Sequence, residues 1–507
     1  MNRPFYATLA LLAVAAALGL VHDADARVGG GETFSTGRGG GQGGGGGEGE
    51  ILFLLVRLAI FYPQIGVPLL IVGLGFFLWS KRTERRDRGA HIEGHRRHHA
   101  PHTRTHPGRG LPPGWDALLD HDPALSEPVL LDQLQLVHRR AWEAVNLHRE
   151  RSDGPDLPEA LANLIPFVSA DAWGGLARTR AQRITEVVQA SVRVHRVKLR
   201  AGRAEITVRF TGARLEADAK GRTRRVYVEE QWRFARDAGA TSPPPEDAQR
   251  LGCPACGAAG QVDAMGRCRS CDTPIAHGEH NWQALGVEIR ERRPLGAPHL
   301  SRGGGDDASV AAATVVSPDL AAQMRSFTGR HPDFDAALWE QRVHHSFRAL
   351  QAAWSASRWQ DARPYTTDAA WNTLRFWLLQ YADAGLRNRV EDVKILKMQV
   401  VAMRTDAWYE SVTVRLWAEA RDWVEDAQGT VVGGDARQAH AFSEYWTFLR
   451  GIGAHPKHTD PARCPSCGAP LDRVNAAGVC GYCDSVITTG RFDWVLSRIE
   501  AAEVYGR

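Results

Sequence analysis

Eight cysteines carry the plainest chemistry in this sequence. Cys464-Pro-Ser-Cys467 is followed, twelve residues on, by Cys480-Gly-Tyr-Cys483, and Cys253-Pro-Ala-Cys256 is followed, eleven residues on, by Cys268-Arg-Ser-Cys271. A CxxC pair turns two thiolates toward one point, and two pairs about a dozen residues apart close a tetrahedral four-sulfur cage. These eight are all the cysteines of the chain, so the spacing predicts two metal sites with no ligand left over. Zinc, two ions in all, is the natural choice; iron in a rubredoxin-like site suits the same donors as the lesser alternative. Four thiolates leave no open coordination position, so the expected role is structural, stapling a β-hairpin. Evenly spaced CxxC pairs would cross-link in an oxidising compartment, which places this part of the chain in a reducing one.

A second chemistry lies in two acidic positions. Glu230-Gln-Trp232-Arg-Phe234 and Glu444-Tyr-Trp446-Thr-Phe448 each set a glutamate on the same strand face as two aromatic rings. A carboxylate on an apolar face is paired, protonated or functional, unless the register slips by one residue and turns it into water. Glu230, Trp232, Glu444 and Trp446 are therefore candidate pocket residues. His138 and His344 fall on the first helix of each half, as packed or solvated positions and not ligands. The sequence holds no Ser/His/Asp arrangement, Walker loop or HExxH motif. No catalytic residue is assigned and no enzyme is expected. The alternative is an isomerase- or dehydratase-like pocket enzyme working through a buried carboxylate.

The elements that position these groups occur twice. Pro166-Phe-Val-Ser-Ala-Asp-Ala-Trp173 parallels Pro364-Tyr-Thr-Thr-Asp-Ala-Ala-Trp371, and Trp282 and Trp494 follow the two cysteine sets at matching places. Residues 127–293 and 332–507 thus read as two copies of one module, with ribbons inserted at 253–271 and 464–483 and a linker at 294–331. Leu130, Leu134, Val137, Ala141 and Val145 predict an amphipathic helix in the first copy, answered by a helix over 335–355 in the second. Long strands follow in each, over 191–200, 205–217 and 224–236, then 390–403, 409–423 and 439–450. Helices followed by long antiparallel strands predict an α+β fold, a curved sheet wrapped on a helical layer.

Ahead of the modules, residues 1–26 have the charge, apolar run and small-residue site of a secretory signal. In the spacer 27–50, 13 of the residues from Gly29 to Gly49 are glycine, a composition that buries no core. Residues 51–80 are the predicted transmembrane helix, with 22 residues from Leu58 to Trp79 free of charge. The segment 81–126 is basic and histidine-rich. Its excess of Lys and Arg predicts that everything after the span faces the cytoplasm, which agrees with the thiol chemistry. The segment reads as a solvated tether, with attraction to anionic lipid headgroups as a second reading. Net charge over the whole chain is only +4. The cysteine loops carry few basic residues and one aromatic, Tyr482, too thin a stripe for nucleic acid.

The second copy runs from His331-Pro-Asp-Phe334-Asp through Phe347, Ala353-Trp354, Arg363-Pro-Tyr365 and Trp371 into its long strands. In this it resembles the bacterial relatives of the C-terminal domain of the mitochondrial import subunit Tim44. The first copy resembles them more weakly, and the N-terminal plan of signal, Gly-rich tract and membrane helix is also similar. The resemblance implies nuclear-transport-factor-two-like cones with an apolar pocket, membrane association and a lipid-binding or protein-transport role. The chaperone-recruiting region of the mitochondrial protein has no counterpart here, the ribbons are additional, and no catalytic residue carries over. The expected protein is a single-pass bacterial inner-membrane scaffold whose partners are the bilayer, anionic lipid and a membrane or translocating protein. A zinc-ribbon tether for nucleic acid or protein is the other alternative.

Overall fold

The computed structural model describes residues 104–105, 112–150, 163–258, 262–263, 265–298, 300, 307–502 and 504–505. The predicted signal (1–26), spacer (27–50), membrane helix (51–80) and most of the basic segment lie outside the described residues. Among the described residues no helix is long and apolar enough to cross a membrane.

The chain is a mixed α+β protein with two four-stranded antiparallel sheets. After β1 (Arg104–Thr105) come helices α1 (Trp115–His121), α2 (Glu127–Glu150) and α3 (Ala170–Ala177). Strands β2 (Arg183–Arg200), β3 (Arg203–Ala217) and β4 (Thr223–Asp237) follow, then the short α4 (Pro245–Ala248) and β5 (Gln283–Pro294). The order across the first sheet is β2-β3-β4-β5. The second half holds α5 (Ala308–Ala311), β6 (Val315–Val316), α6 (Leu320–Arg330), α7 (Ala336–Ser355), a 3-10 turn at Trp359–Tyr365 and α8 (Asp368–Asp383). Strands β7 (Leu386–Thr405), β8 (Tyr409–Asp426), β9 (Val431–Gly451) and β10 (Val495–Ala501) form the second sheet in the order β10-β9-β8-β7.

The α2 stripe of Leu130, Leu134, Val137, Ala141 and Val145 is buried against Ile206, Val208, Phe210, Trp232 and Phe234 of the first sheet. Val343, Phe347, Leu350 and Trp354 of α7 pack in the same way on Val412, Val414, Leu416, Trp446 and Phe448. Each Val, Leu, Ile or Phe among them contributes about 1.5–3 kcal/mol by leaving water. Ser169 and Thr367 cap α3 and α8 through the amides of Ala172 and Ala370, each cap stabilising its helix by about 1 kcal/mol.

The first strand of each sheet is bent three times. Register shifts fall between Thr185/Val188, Gln189/Ser191 and Val194/Arg196 in β2, and between Glu391/Lys394, Ile395/Lys397 and Val400/Ala402 in β7. The first bulge in each carries a left-handed acidic residue, Glu186 at φ 48° and Asp392 at φ 54°. A bulge leaves one residue unpaired, bends its strand and increases twist. Three in succession curl each sheet around its long helix. The two sheets share this bulge pattern.

The two halves pack on each other. Val188, Ala213 and Tyr227, on the face of the first sheet turned away from α2, join the core of the second half, and α8 lies against β2. Across the same junction the indole of Trp408 donates to the Ala124 carbonyl at 2.9 Å and the Ser126 hydroxyl to Asp406 at 2.8 Å.

Two segments read as linkers are built into the fold. Residues 112–126, expected to end the basic tether, bring Trp115, Leu118 and Leu125 into the first core; α1 is too short to display a helical period. Residues 307–316, in the expected linker 294–331, cover the outer face of the second sheet. There the buried Arg415 donates to the carbonyls of Ser309 at 2.7 Å and Ala312 at 2.9 Å.

Candidate metal centres and buried carboxylates

Each cysteine set lies in the connection before the last strand of its sheet, between β4 and β5 or between β9 and β10. In each, the four Sγ atoms lie within 4.8 Å of one another. Cys253 and Cys271 are 3.7 Å apart, Cys256 and Cys268 3.9 Å, and Cys464 and Cys483 3.9 Å. A tetrahedron of sulfurs about 2.3 Å from a central ion has edges of about 3.8 Å, whereas a disulfide holds its sulfurs about 2.05 Å apart. The spacing fits an ion, and all eight thiols are free. Both four-cysteine groups could therefore hold a metal.

The same turn builds all four knuckles. The amides of Gly257, Asp272, Gly468 and Asp484 donate to the carbonyls of Cys253, Cys268, Cys464 and Cys480 at 2.8–2.9 Å. The turn needs a left-handed residue at its end, and these four have φ between 55° and 74°. Glycine takes that conformation freely and aspartate tolerates it. This explains why each first pair is followed by Gly and each second by Asp. The exit from each set is held by an arginine. Arg236 lies 4.6 Å over the Trp282 ring and Arg450 4.6 Å over Trp494. Asp122 holds Arg236 at 2.5 Å and Glu410 holds Arg450 at 3.0 Å. The second set is also tied to the 3-10 turn, where Gln360 donates to the Val474 carbonyl at 3.0 Å and Arg363 to that of Ala476 at 2.8 Å.

Glu230 lies wholly inside the first half and is saturated with donors. One carboxylate oxygen takes the Arg214 guanidinium at 2.9 Å. The other takes His138 Nε2 at 2.9 Å, the Trp232 indole at 2.9 Å and the Trp142 indole at 3.3 Å. Gln189 closes the far side of His138 through Nδ1 at 3.0 Å. Burial resists ionisation, but His138, Arg214 and the Trp232 N–H outweigh it and hold the carboxyl down at about 2. The space beside it, lined by His138, Trp142, Phe210 and Arg214, amounts to about 10 Å³.

Glu444 is also buried, and its carboxylate accepts the Trp446 indole at 2.9 Å. The second copy does not repeat the histidine, however. His344 sits on the outer side of α7, 3.8 Å from Glu340 and a third exposed. Larger cavities open between the halves. One, of about 570 Å³, is bounded by Trp115, Leu125, Phe327, Tyr409, Leu449 and Tyr505, and another, of about 360 Å³, by Leu131, His195, Thr373 and Trp377. Glu127 and Arg498, 3.9 Å apart, line both.

Sequence reasoning picked out Glu230 and Trp232 but missed Arg214, Arg236 and Asp122. Arg214 was within reach, because it alternates in phase with Val208 and Phe210 and so points inward. Asp122 had no such signal, since it lies outside any regular element.

No curated protein matches the chain. A family model described as the Tim44-like domain matches residues 320–461, from the start of α6 to just short of Cys464. The second half of this chain contains a Tim44-like domain.

Proposed function

We propose that the chain is a membrane-anchored binding and assembly protein, not an enzyme. Its two halves are nuclear-transport-factor-two-like cones, each closed by a zinc ribbon. The saturated Glu230 carries this reading. A pocket enzyme needs room for substrate beside its buried carboxylate, and about 10 Å³ holds at most one water. The curled sheets around α2 and α7 support the cone assignment, and the sulfur spacing supports two structural ions. With the first cone filled, the seat for an apolar ligand or protein segment moves to the cavity of about 570 Å³ between the halves. The span at 51–80 and the basic run after it attach the protein to the inner membrane, with both halves in the cytoplasm.

Native mass spectrometry of the detergent-purified full chain tests the proposal. Two zinc ions per chain and retained lipid are expected. Leu449→Trp narrows the cavity and is expected to lower that retention. Oxidised thiols without metal would remove the ribbon assignment, and retention unchanged in Leu449→Trp would remove the seat.

A further inference from the structure

The second cysteine set is tied to more than its own sheet. Its buried cluster consists of Cys464, Val474, Cys480 and Ile487, so half of that cluster is thiol. A segment this small has too little apolar surface to hold its shape, and an ion bound by four thiolates supplies the missing order. Val474 bridges Cys480 directly. The carbonyls of Val474 and Ala476 therefore stay in place only while the hairpin carrying Cys480 is closed.

The Ala476 carbonyl is an acceptor for Arg363, whose side chain is fully buried. Its Nε donates to Ala476 at 2.8 Å, one terminal nitrogen to the Thr366 carbonyl at 2.7 Å, and the other to the Asp368 carboxylate. Thr366 and Asp368 flank Thr367, the cap of α8. A guanidinium presents its donors in one rigid fork, and a buried N–H without a partner is strongly disfavoured, so losing one acceptor disturbs the other two. In turn α8 lies against β2 of the first half. Its Ala369, Thr373 and Trp377 wall the cavity of about 360 Å³ together with Ser191 and Val194. The first cysteine set is held differently. Arg203 donates to the His277 carbonyl at 2.8 Å and Gln283 to that of Ala276 at 2.5 Å, both within the first half.

We propose that an ion in the second cysteine site holds the junction between the halves closed, with Arg363 as the positioning residue that carries the restraint to α8. The inference rests on the metal-site reading above. It makes the second site a control on the cavity between the halves and leaves the first as a local staple. Without the ion the Ala476 carbonyl moves away, Arg363 loses an acceptor, and the first turns of α8 loosen from β2.

Hydrogen–deuterium exchange of the detergent-purified full chain, with metal counted in the same sample by native mass spectrometry, tests this. Cys480→Ser should empty the second site and raise exchange about tenfold or more at residues 369–374 of α8 and 190–194 of β2, while β7 and β8 stay protected. Cys268→Ser should empty the first site and leave those segments unchanged. Arg363→Gln should give the same rise with both ions still bound, which a merely local ribbon contact would not produce. Stripping the wild-type chain with a chelator provides the parallel measurement should Cys480→Ser fail to fold, and exchange in α8 should then rise in step with loss of the second ion. Unchanged exchange in α8 with the second site empty overturns the proposal, as does Arg363→Gln with wild-type exchange. A purified chain that carries no ion yet keeps α8 protected overturns the metal-site reading as well.

Discussion

Glu230 shows how much one side chain depends on the whole fold. Its carboxylate satisfies Arg214, two indoles and His138, and removing the charge leaves the buried Arg214 guanidinium with a neutral amide on one side and Glu216, at 2.9 Å, as its remaining carboxylate. Glu230→Gln is expected to cost about 3 kcal/mol or more in chemical denaturation, whereas Glu229→Gln, in a surface pair, should cost under about 1 kcal/mol. The folded carboxyl sits near 2, against an ordinary value of 4.5. Its contribution is therefore present above 4.5 and lost as pH falls from there toward 2. A titration in which wild type and Glu230→Gln lose stability in parallel across that window would exclude the assignment. Strand alternation made the position of Glu230 legible in the sequence. Its partners were not, because His138 and Trp142 lie about ninety residues away on another element.

At the scale of elements, the long helices were legible from periodicity and the strand starts were not. Both β2 and β7 begin earlier than alternation indicates, because the bulges at Glu186 and Asp392 break the period of two. The cysteine knuckles were legible because a four-thiolate site constrains both residue type and spacing. Their backbone gives a sharp prediction. Gly478 has φ 75°, and a Cβ there would lie 2.0 Å from the Thr488 hydroxyl, inside the hairpin that joins Val479 to Val486. Gly478→Ala should empty the second site and spare the first, halving the metal measured by mass spectrometry; full occupancy would show that the hairpin tolerates the shift. Metal binding should also depend on pH. Burial pushes the Cys253 and Cys464 thiols up to about 12, so an ion must expel their protons, and affinity should fall as pH falls. Metal release to a chelator at pH 6 and pH 8 measures this, with faster release expected at pH 6.

For the whole molecule, two helix-and-strand halves were legible but their docking was not, since Val188, Ala213 and Tyr227 read only as outward strand positions. Because they share a core with α7 and α8, the halves should unfold in one calorimetric transition; two separated transitions would show that the junction contributes little. The junction also contains a titrating group. Asp132 on α2 is half-buried by surface exposure, yet its carboxyl is closely packed and lies near Asp368, Arg139 and Arg363 from both halves. Burial first, and then the Asp368 charge, raise it to about 7 against the pull of the two arginines. The folded state then holds a proton that the unfolded chain releases near 3.8. This contribution to stability is full below 3.8 and is lost as pH rises through 7. Asp132→Asn removes the ionisation and should flatten that slope, gaining at least about 1 kcal/mol over wild type at pH 8. Chemical denaturation of both proteins at pH 5 and pH 8 decides the matter. If the variant is destabilised equally at both, Asp132 serves the junction as an anion, paired with Arg139 and Arg363 in preference to a proton.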